Sequence, residues 1–136
     1  MATGERMNNY IITLQGETPS KKNSRINTRS GRSFPSKRYT EWHSNAILQI
    51  RQQQEEKEYS FNVEKNEKVK LIITFYHGDY RQRDSDNQLT SILDLLVDVG
   101  ILLNDSWLVV PRKVINDEYE KNNPHCVIEF RKLLSN

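Results

Sequence analysis

Two carboxylates separated by a single residue stand at the centre of this chain. Arg81-Gln82-Arg83-Asp84-Ser85-Asp86-Asn87 sets Asp84 and Asp86 beside an amide and two guanidinium groups. Behind them Leu89, Ile92, Leu93, Leu96 and Val99 recur at i, i+3, i+4 and i+7, the period of an amphipathic helix, and Gly100 stands where a helix C-terminus favours glycine. The acids therefore open a helix. Asp and Asn are favoured there because their side-chain oxygens accept the unpaired first N–H groups and oppose the helix dipole. One Asp satisfies that need; the second Asp, Asn87 and the arginines are surplus to capping. Carboxylate and amide oxygens are hard ligands suited to Mg²⁺ or Mn²⁺. Such ions stabilise phosphoryl-transfer transition states and activate water.

A third acid, Asp105, follows the helix. A helix of about 14 residues is roughly 21 Å long, and residues 101 to 104 are too few to run back along it. Asp105 meets Asp84 and Asp86 within one chain only if the helix is tilted or shorter, or the loop folds beneath it; otherwise the meeting is across a dimer. Zinc is a poorer reading, because His43, His77, His125 and Cys126 lack ligand spacing, and His125-Cys126 at a strand start reads as packing. No glycine-rich phosphate loop of the GK[ST] or GxGxxG type is present.

Net charge is only +2, but it is unevenly distributed. Thr18 to Arg38 carries seven bases, Lys21, Lys22, Arg25, Arg29, Arg32, Lys37 and Arg38, and no acid. Asp84 to Pro111 carries five acids, Asp84, Asp86, Asp94, Asp98 and Asp105, and no base. A basic arm beside an acidic centre suits a polyanion held by cations and attacked at metal-loaded carboxylates. Phe34 in the arm could stack on a base; the plainer reading of the arm is a solvated loop. Asp94 and Asp98 are like charges at i, i+4 near a helix C-terminus, which reads as a solvated face or as pairing with basic groups. Trp42 and Trp107 read as core or interface.

The elements that must position these residues follow from pattern. Tyr10 to Leu14 is a strand ending at Gly16, and residues 17–38 form a long basic loop. Tyr39 to about Glu56 is a helix with Trp42, Ala46, Ile47 and Ile50 as its apolar stripe, and Glu55 to Glu67 is a charged linker. Val69 to Tyr76 is a strand that delivers the chain to Arg81, and the second helix spans Asp86 to Val99. Ile101-Leu102-Leu103 is a short apolar run. Lys113-Val114-Ile115 is a strand whose preceding Pro111 argues for a sheet edge or a bulge. Asp117 to Pro124 is a turn-rich connection, and Cys126 to Phe130 is the last strand. The order β-α-β-α-β-β predicts one small α+β domain over residues 1–136, a mixed sheet with helices mainly on one face. Residues 1–8 read as a polar leader, with Met7 an alternative start. One cysteine precludes an intrachain disulfide and fits a reducing cytoplasm. No run reaches membrane-span length and no signal peptide is evident.

These residues resemble the RusA family of Holliday junction resolvases. The resemblance rests on Arg83-Asp84-Ser85-Asp86-Asn87 as a D-x-D-N motif, on Asp94-Leu95, on Asn104-Asp105 with the acid 21 residues beyond the first Asp, and on Ile12-Thr13-Leu14 followed by Pro19-Ser20-Lys21-Lys22-Asn23. It covers about Tyr10 to Phe130 and implies a homodimer that binds four-way DNA junctions and cuts two strands symmetrically with Mg²⁺ or Mn²⁺. It implies Asp84, Asp86 and Asp105 as metal ligands and catalytic acids, with Arg83 and Asn87 as their polar neighbours, and Arg83 is expected to act in catalysis by positioning or neutralising the scissile phosphate. Lys21, Lys22, Asn23, Arg25, Arg29, Arg32, Lys37, Arg38, Arg81 and Asn87 are the expected DNA contacts. The family's catalytic lysine, four residues after the second Asp, is replaced here by Thr90, so Arg81, Arg83 or Lys113 must supply the cation or catalysis is weakened. Two other readings stand beside this one. One is a catalytically impaired junction-binding protein. The other is a small Mg²⁺-dependent nucleotide enzyme, which the extended basic arm argues against.

Overall fold

A computed structural model describes residues 9–20, 25–27, 29, 31, 33–57 and 61–134. Its elements are β1 (Asn9–Gln15), β2 (Arg25–Asn27), β3 (Ser33–Pro35), α1 (Lys37–Glu56), β4 (Lys68–His77), α2 (Ser85–Asp98), β5 (Arg112–Tyr119) and β6 (His125–Leu133). Four strands form one mixed sheet in the order β1-β6-β4-β5. β6 lies antiparallel to both β1 and β4, and β5 parallel to β4 across the α2 crossover. The architecture is the expected α+β domain, with β2 and β3 added.

Period-2 alternation decides which face is covered. Ile12, Ile128 and Ile73 lie side by side across β1, β6 and β4, as do Leu14, Cys126 and Phe75, and Tyr10, Phe130 and Leu71. All nine are buried. Ala46 and Ile50 of α1 and Ile92, Leu93, Leu95 and Leu96 of α2 complete the same core, with Phe61 and Val63 from the charged connection. Each fully buried Leu, Ile or Phe contributes roughly 1.5–3 kcal/mol of hydrophobic transfer.

The two sheet edges are treated differently. At β1, Gln53 of α1 both accepts from Thr13 N–H (2.9 Å) and donates to Thr13 C=O (2.7 Å), and Gln49 accepts from Gln15 N–H (2.7 Å). Those amides occupy backbone groups that an edge strand otherwise offers to another chain. β5 is the opposite edge, and every residue on it is exposed except half-buried Ile115. Pro111 directly precedes it, as an edge position permits.

Several boundaries differ from the pattern-based expectation. The long basic loop contains the short β2–β3 ladder, which its Ser, Asn and Arg content hid. β5 runs on through Tyr119 into a stretch read as turns, because parallel pairing with β4 sustains a strand that has almost no apolar alternation. Residues 101–110 are bends and turns: Ile101, Leu102, Val109 and Val110 are buried, while Leu103 (56%), Trp107 (71%) and Leu108 (56%) are exposed. Asp98 pairs with His43 Nε2 at 2.8 Å, joining α2 to α1. Burial, with Asp94 and Asp98 nearby, pushes the Tyr39 phenol up to about 12. Among the described residues no helix is long and apolar enough to cross a membrane.

Candidate active site

The loop from β4 to α2 is clamped at its base. A Cβ at Gly78 would meet Pro124 Cδ at 2.8 Å, so only glycine allows that approach. Asn122 N–H donates to Gly78 C=O (3.1 Å) and Glu120 N–H to His77 C=O (2.9 Å). Further along, Asp79 Oδ1 accepts from Arg81 N–H (3.0 Å) and from Arg83 Nη1 (2.8 Å). The Arg83 hydrogen bond, then that backbone bond, hold the Asp79 carboxyl at about 2, below its ordinary 3.8. The same bond to Asp79 raises the Arg83 guanidinium above its usual value.

α2 then begins with Asp84 as its N-cap, accepting from Asp86 N–H (3.0 Å) and, through Oδ2, from Asn87 Nδ2 (3.4 Å). The capping role is therefore real for Asp84. Asp86 is exposed in the first turn, and among the described residues its carboxylate has no hydrogen-bond or ion-pair partner. One turn later Thr90 is exposed, its hydroxyl donating weakly to Asp86 C=O (3.4 Å).

Behind this surface lies a polar network that motif reading missed. Glu17, 13% exposed, accepts from Gln88 Nε2 (2.8 Å), faces His77 Nδ1 (2.9 Å), and pairs with Arg83 Nε (3.4 Å). His77 Nε2 in turn meets Asp117 Oδ1 at 2.8 Å. Gln88 also donates to Thr18 C=O (2.7 Å), and Ser91 Oγ to Pro19 C=O (2.6 Å). Residues 17–19 are thus fastened to the first turns of α2. A signal existed in the charged Glu17 beside an apolar strand end and in His77 closing an apolar strand. Their meeting, however, depends on tertiary pairing that no local pattern encodes.

A cleft of about 620 Å³ opens beside Asp84, lined among others by Thr18, Ser20, Arg38, Arg83 and Ser85. Arg38, at the start of α1, is exposed and makes no side-chain pair among the described residues. Arg83, by contrast, is only 18% exposed and already pairs with Asp79 and Glu17. Of the remaining basic positions, Arg29 and Lys37 are exposed, Lys37 at 3.7 Å from Glu41, and Arg25 lies on β2. Arg81 is 83% exposed. Lys21, Lys22, Asn23 and Arg32 lie outside the described residues.

Asp105 is not brought to Asp84 and Asp86 within the chain. Ile101 and Leu102 N–H groups bond Leu96 C=O at the end of α2, Val63 N–H bonds Ile101 C=O, and Val69 N–H at the start of β4 bonds Val109 C=O. Val109 and Val110 N–H groups hold Ser106 C=O. Asp105 therefore sits where α2 ends and β4 starts, whereas Asp84 sits where β4 has ended and α2 starts. The two places are separated by about a helix length, roughly 21 Å. Lys113, whose Nζ donates to Val110 C=O (3.0 Å), lies at the Asp105 end. Among the described residues no group of three or more His, Cys, Asp or Glu side chains is assembled to hold a metal ion.

The sequence model of a family described as Endodeoxyribonuclease RusA matches residues 16–131, a span that includes Glu17, the cleft, α2 and Asp105. The chain belongs to the RusA family. It is 27% identical over 115 residues to a crossover junction endodeoxyribonuclease RusA of Aquifex aeolicus (strain VF5), the match covering 85% of each chain. RusA members are endodeoxyribonucleases, hydrolases of DNA phosphodiester bonds. In this RusA chain Asp84 and Ser85 of the D-x-D-N stretch line the cleft, and Thr90 presents an exposed hydroxyl one turn beyond Asp86.

Proposed function

We propose that this protein resolves four-way DNA junctions as a symmetric homodimer, by paired, divalent-metal-dependent incision of two strands. The observation that carries the reading is the exposed Asp86 carboxylate, without a partner among the described residues, beside the Asp84 cap, at a helix N-terminus bordering a cleft lined by Arg38, which is likewise unpaired among the described residues. An aspartate without a partner at that position is available to a cation. Hard oxygen donors with open lone pairs fit Mg²⁺ or Mn²⁺. Asp84, Asp86 and Asp105 of the partner subunit would hold the ion. When bound, it would supply Lewis-acid stabilisation of a phosphate and an activated water.

The chain's own residues do the rest. Arg38 neutralises and orients the scissile phosphate at the cleft. Arg83, saturated by Asp79 and Glu17, braces the loop that presents Asp84. The basic residues from Lys21 to Lys37, with Arg81 and Asn87, contact neighbouring backbone. A dimer is required because one chain does not unite its three acids. Two features favour it: the exposed Leu103, Trp107 and Leu108 flanking Asp105, and the bare β5 edge. A two-fold assembly also matches the two equivalent strands of a junction. The buried free thiol of Cys126 fits the reducing cytoplasm we assign to the protein.

Thr90 favours a second reading, a junction-binding protein with slow turnover, since a neutral hydroxyl cannot meet developing negative charge as a lysine would. Incubation of wild type and Asp86→Asn with labelled junction and with matched duplex, with and without Mg²⁺, tests both. Metal-dependent paired nicking of the junction, abolished in Asp86→Asn with binding kept, is the expected result. Tight binding without cutting by wild type establishes the second reading, and full nicking by Asp86→Asn overturns the metal-site assignment.

A further inference from the structure

Register places a pair of tyrosines at the end of β4 and β5, where the loop to Asp84 begins. β4 ends at His77, paired with Tyr119 at the end of β5, and the clamped Gly78 turn carries Tyr80 back over that strand end. The two rings stack with centroids 4.1 Å apart and 21° between planes. Tyr80 is 83% exposed and Tyr119 43%. Leaving so much aromatic surface in water forgoes burial, and the pair contributes nothing to the core. Three acids of the same strand end are already engaged: Asp79 by Arg83, Asp117 by His77, and Glu120 by Asn123 Nδ2 (2.6 Å). The adjacent Arg81 extends into solvent. Arg81 Nε lies 3.9 Å from Asp79 Oδ2, a long contact that leaves the guanidinium open to solvent. An exposed ring beside an exposed cation is the combination that stacks on a nucleobase while holding its phosphate.

We infer that the Tyr80–Tyr119 pair is a stacking platform for the unstacked face of a branch-point base pair, and that it selects junctions over duplex. The inference rests on the junction reading above. A continuous duplex offers no free base face, whereas an opened four-way junction exposes the faces of the pairs at its crossover. A ring anchored on a second ring and on a clamped turn has little conformational freedom to lose when a base settles on it.

The test uses the full-length protein in EDTA, with strand integrity checked on a denaturing gel. Junctions carrying 2-aminopurine at the branch point, and a duplex of the same length, are titrated with wild type, Tyr80→Ala and Tyr80→Phe. Wild type and Tyr80→Phe should change the branch-point fluorescence on binding. Tyr80→Ala should lose that change and bind the junction roughly ten- to a hundredfold more weakly, with duplex affinity kept. Unchanged junction affinity and fluorescence in Tyr80→Ala would overturn the inference and leave the junction reading standing. So would an equal loss on duplex, or a fall in dimerisation measured by light scattering, which would assign the pair to a protein interface. Failure of wild type to bind junctions at all would overturn the junction reading and this inference with it.

Discussion

Glu17→Ala should be among the most damaging single substitutions near the site, although Glu17 belongs to no recognised motif. Its carboxylate is 13% exposed and is shared by Gln88 Nε2 at 2.8 Å, His77 Nδ1 at 2.9 Å and Arg83 Nε at 3.4 Å. Hydrogen bonds to a charged group contribute about 1.5–3 kcal/mol each, and a buried group stripped of its partner costs about 1–3 kcal/mol. Gln88 keeps Thr18 C=O and Arg83 keeps Asp79, so His77 and the lost charge dominate. The expected destabilisation is about 3 kcal/mol, or about 10 °C in Tm for a domain of this size. Asp117→Ala removes the far end of the same chain of contacts, but Asp117 is 45% exposed. Its loss should cost no more than about 1 kcal/mol. Urea and thermal unfolding of both variants, followed by circular dichroism, measure the contrast. A Glu17→Ala protein within about 1 kcal/mol of wild type would refute the view that this buried network fastens residues 17–19 and Arg83 to α2.

Other outcomes follow from the same geometry. Thr90→Lys should raise the single-turnover cleavage rate at saturating junction with little change in affinity, and Arg38→Ala should lower it; no effect of either on an active enzyme would show that catalysis here needs no added cation. The Asp79 carboxyl should titrate near 2 by NMR, so its tie to Arg83 is complete above the ordinary 3.8 and lost only as pH falls towards 2; a midpoint at the ordinary value would contradict the tether. Burial pushes the Cys126 thiol up to about 12, so it should resist a thiol reagent at pH 8 until urea unfolds the chain, and rapid native labelling would contradict its place in the core. Replacing Arg29, Lys37 and Arg38 by Ala should flatten the plot of log affinity against log salt by about 0.9 per lost phosphate contact. An unchanged slope would remove the arm from the interface.

What was legible in the sequence was whatever local periodicity carries. The alternation in β4 and the 3.6-residue period of α2 fixed two elements to within a residue or two, and the surplus of Asp86 over a simple cap pointed to the site. The chain length between α2 and Asp105 already made an intrachain meeting difficult, and the backbone bonds of residues 101–110 place Asp105 at the far end. Pairing across the sheet left no such trace. β5 has almost no apolar alternation, so parallel register with β4 alone makes Asp117 a partner of His77 and Tyr119 a neighbour of Tyr80. Arg83 looked like a phosphate ligand because it adjoins Asp84; its engagement by Asp79 and Glu17 depends on how the loop curls and on β1 ending beside α2. Arg38 drew no special notice among seven bases, yet the start of α1 sets it in the cleft.

The most direct measurement co-refolds Asp86→Asn with Asp105→Asn and assays the mixture on labelled junction with Mg²⁺. If each site takes Asp84 and Asp86 from one chain and Asp105 from the other, a mixed dimer carries one doubly altered site and one intact site. The mixture should then nick junctions on one strand, while each variant alone is inactive. Activity in wild type with none in the mixture, under conditions where mixed dimers are shown to form, would contradict a site shared between two chains.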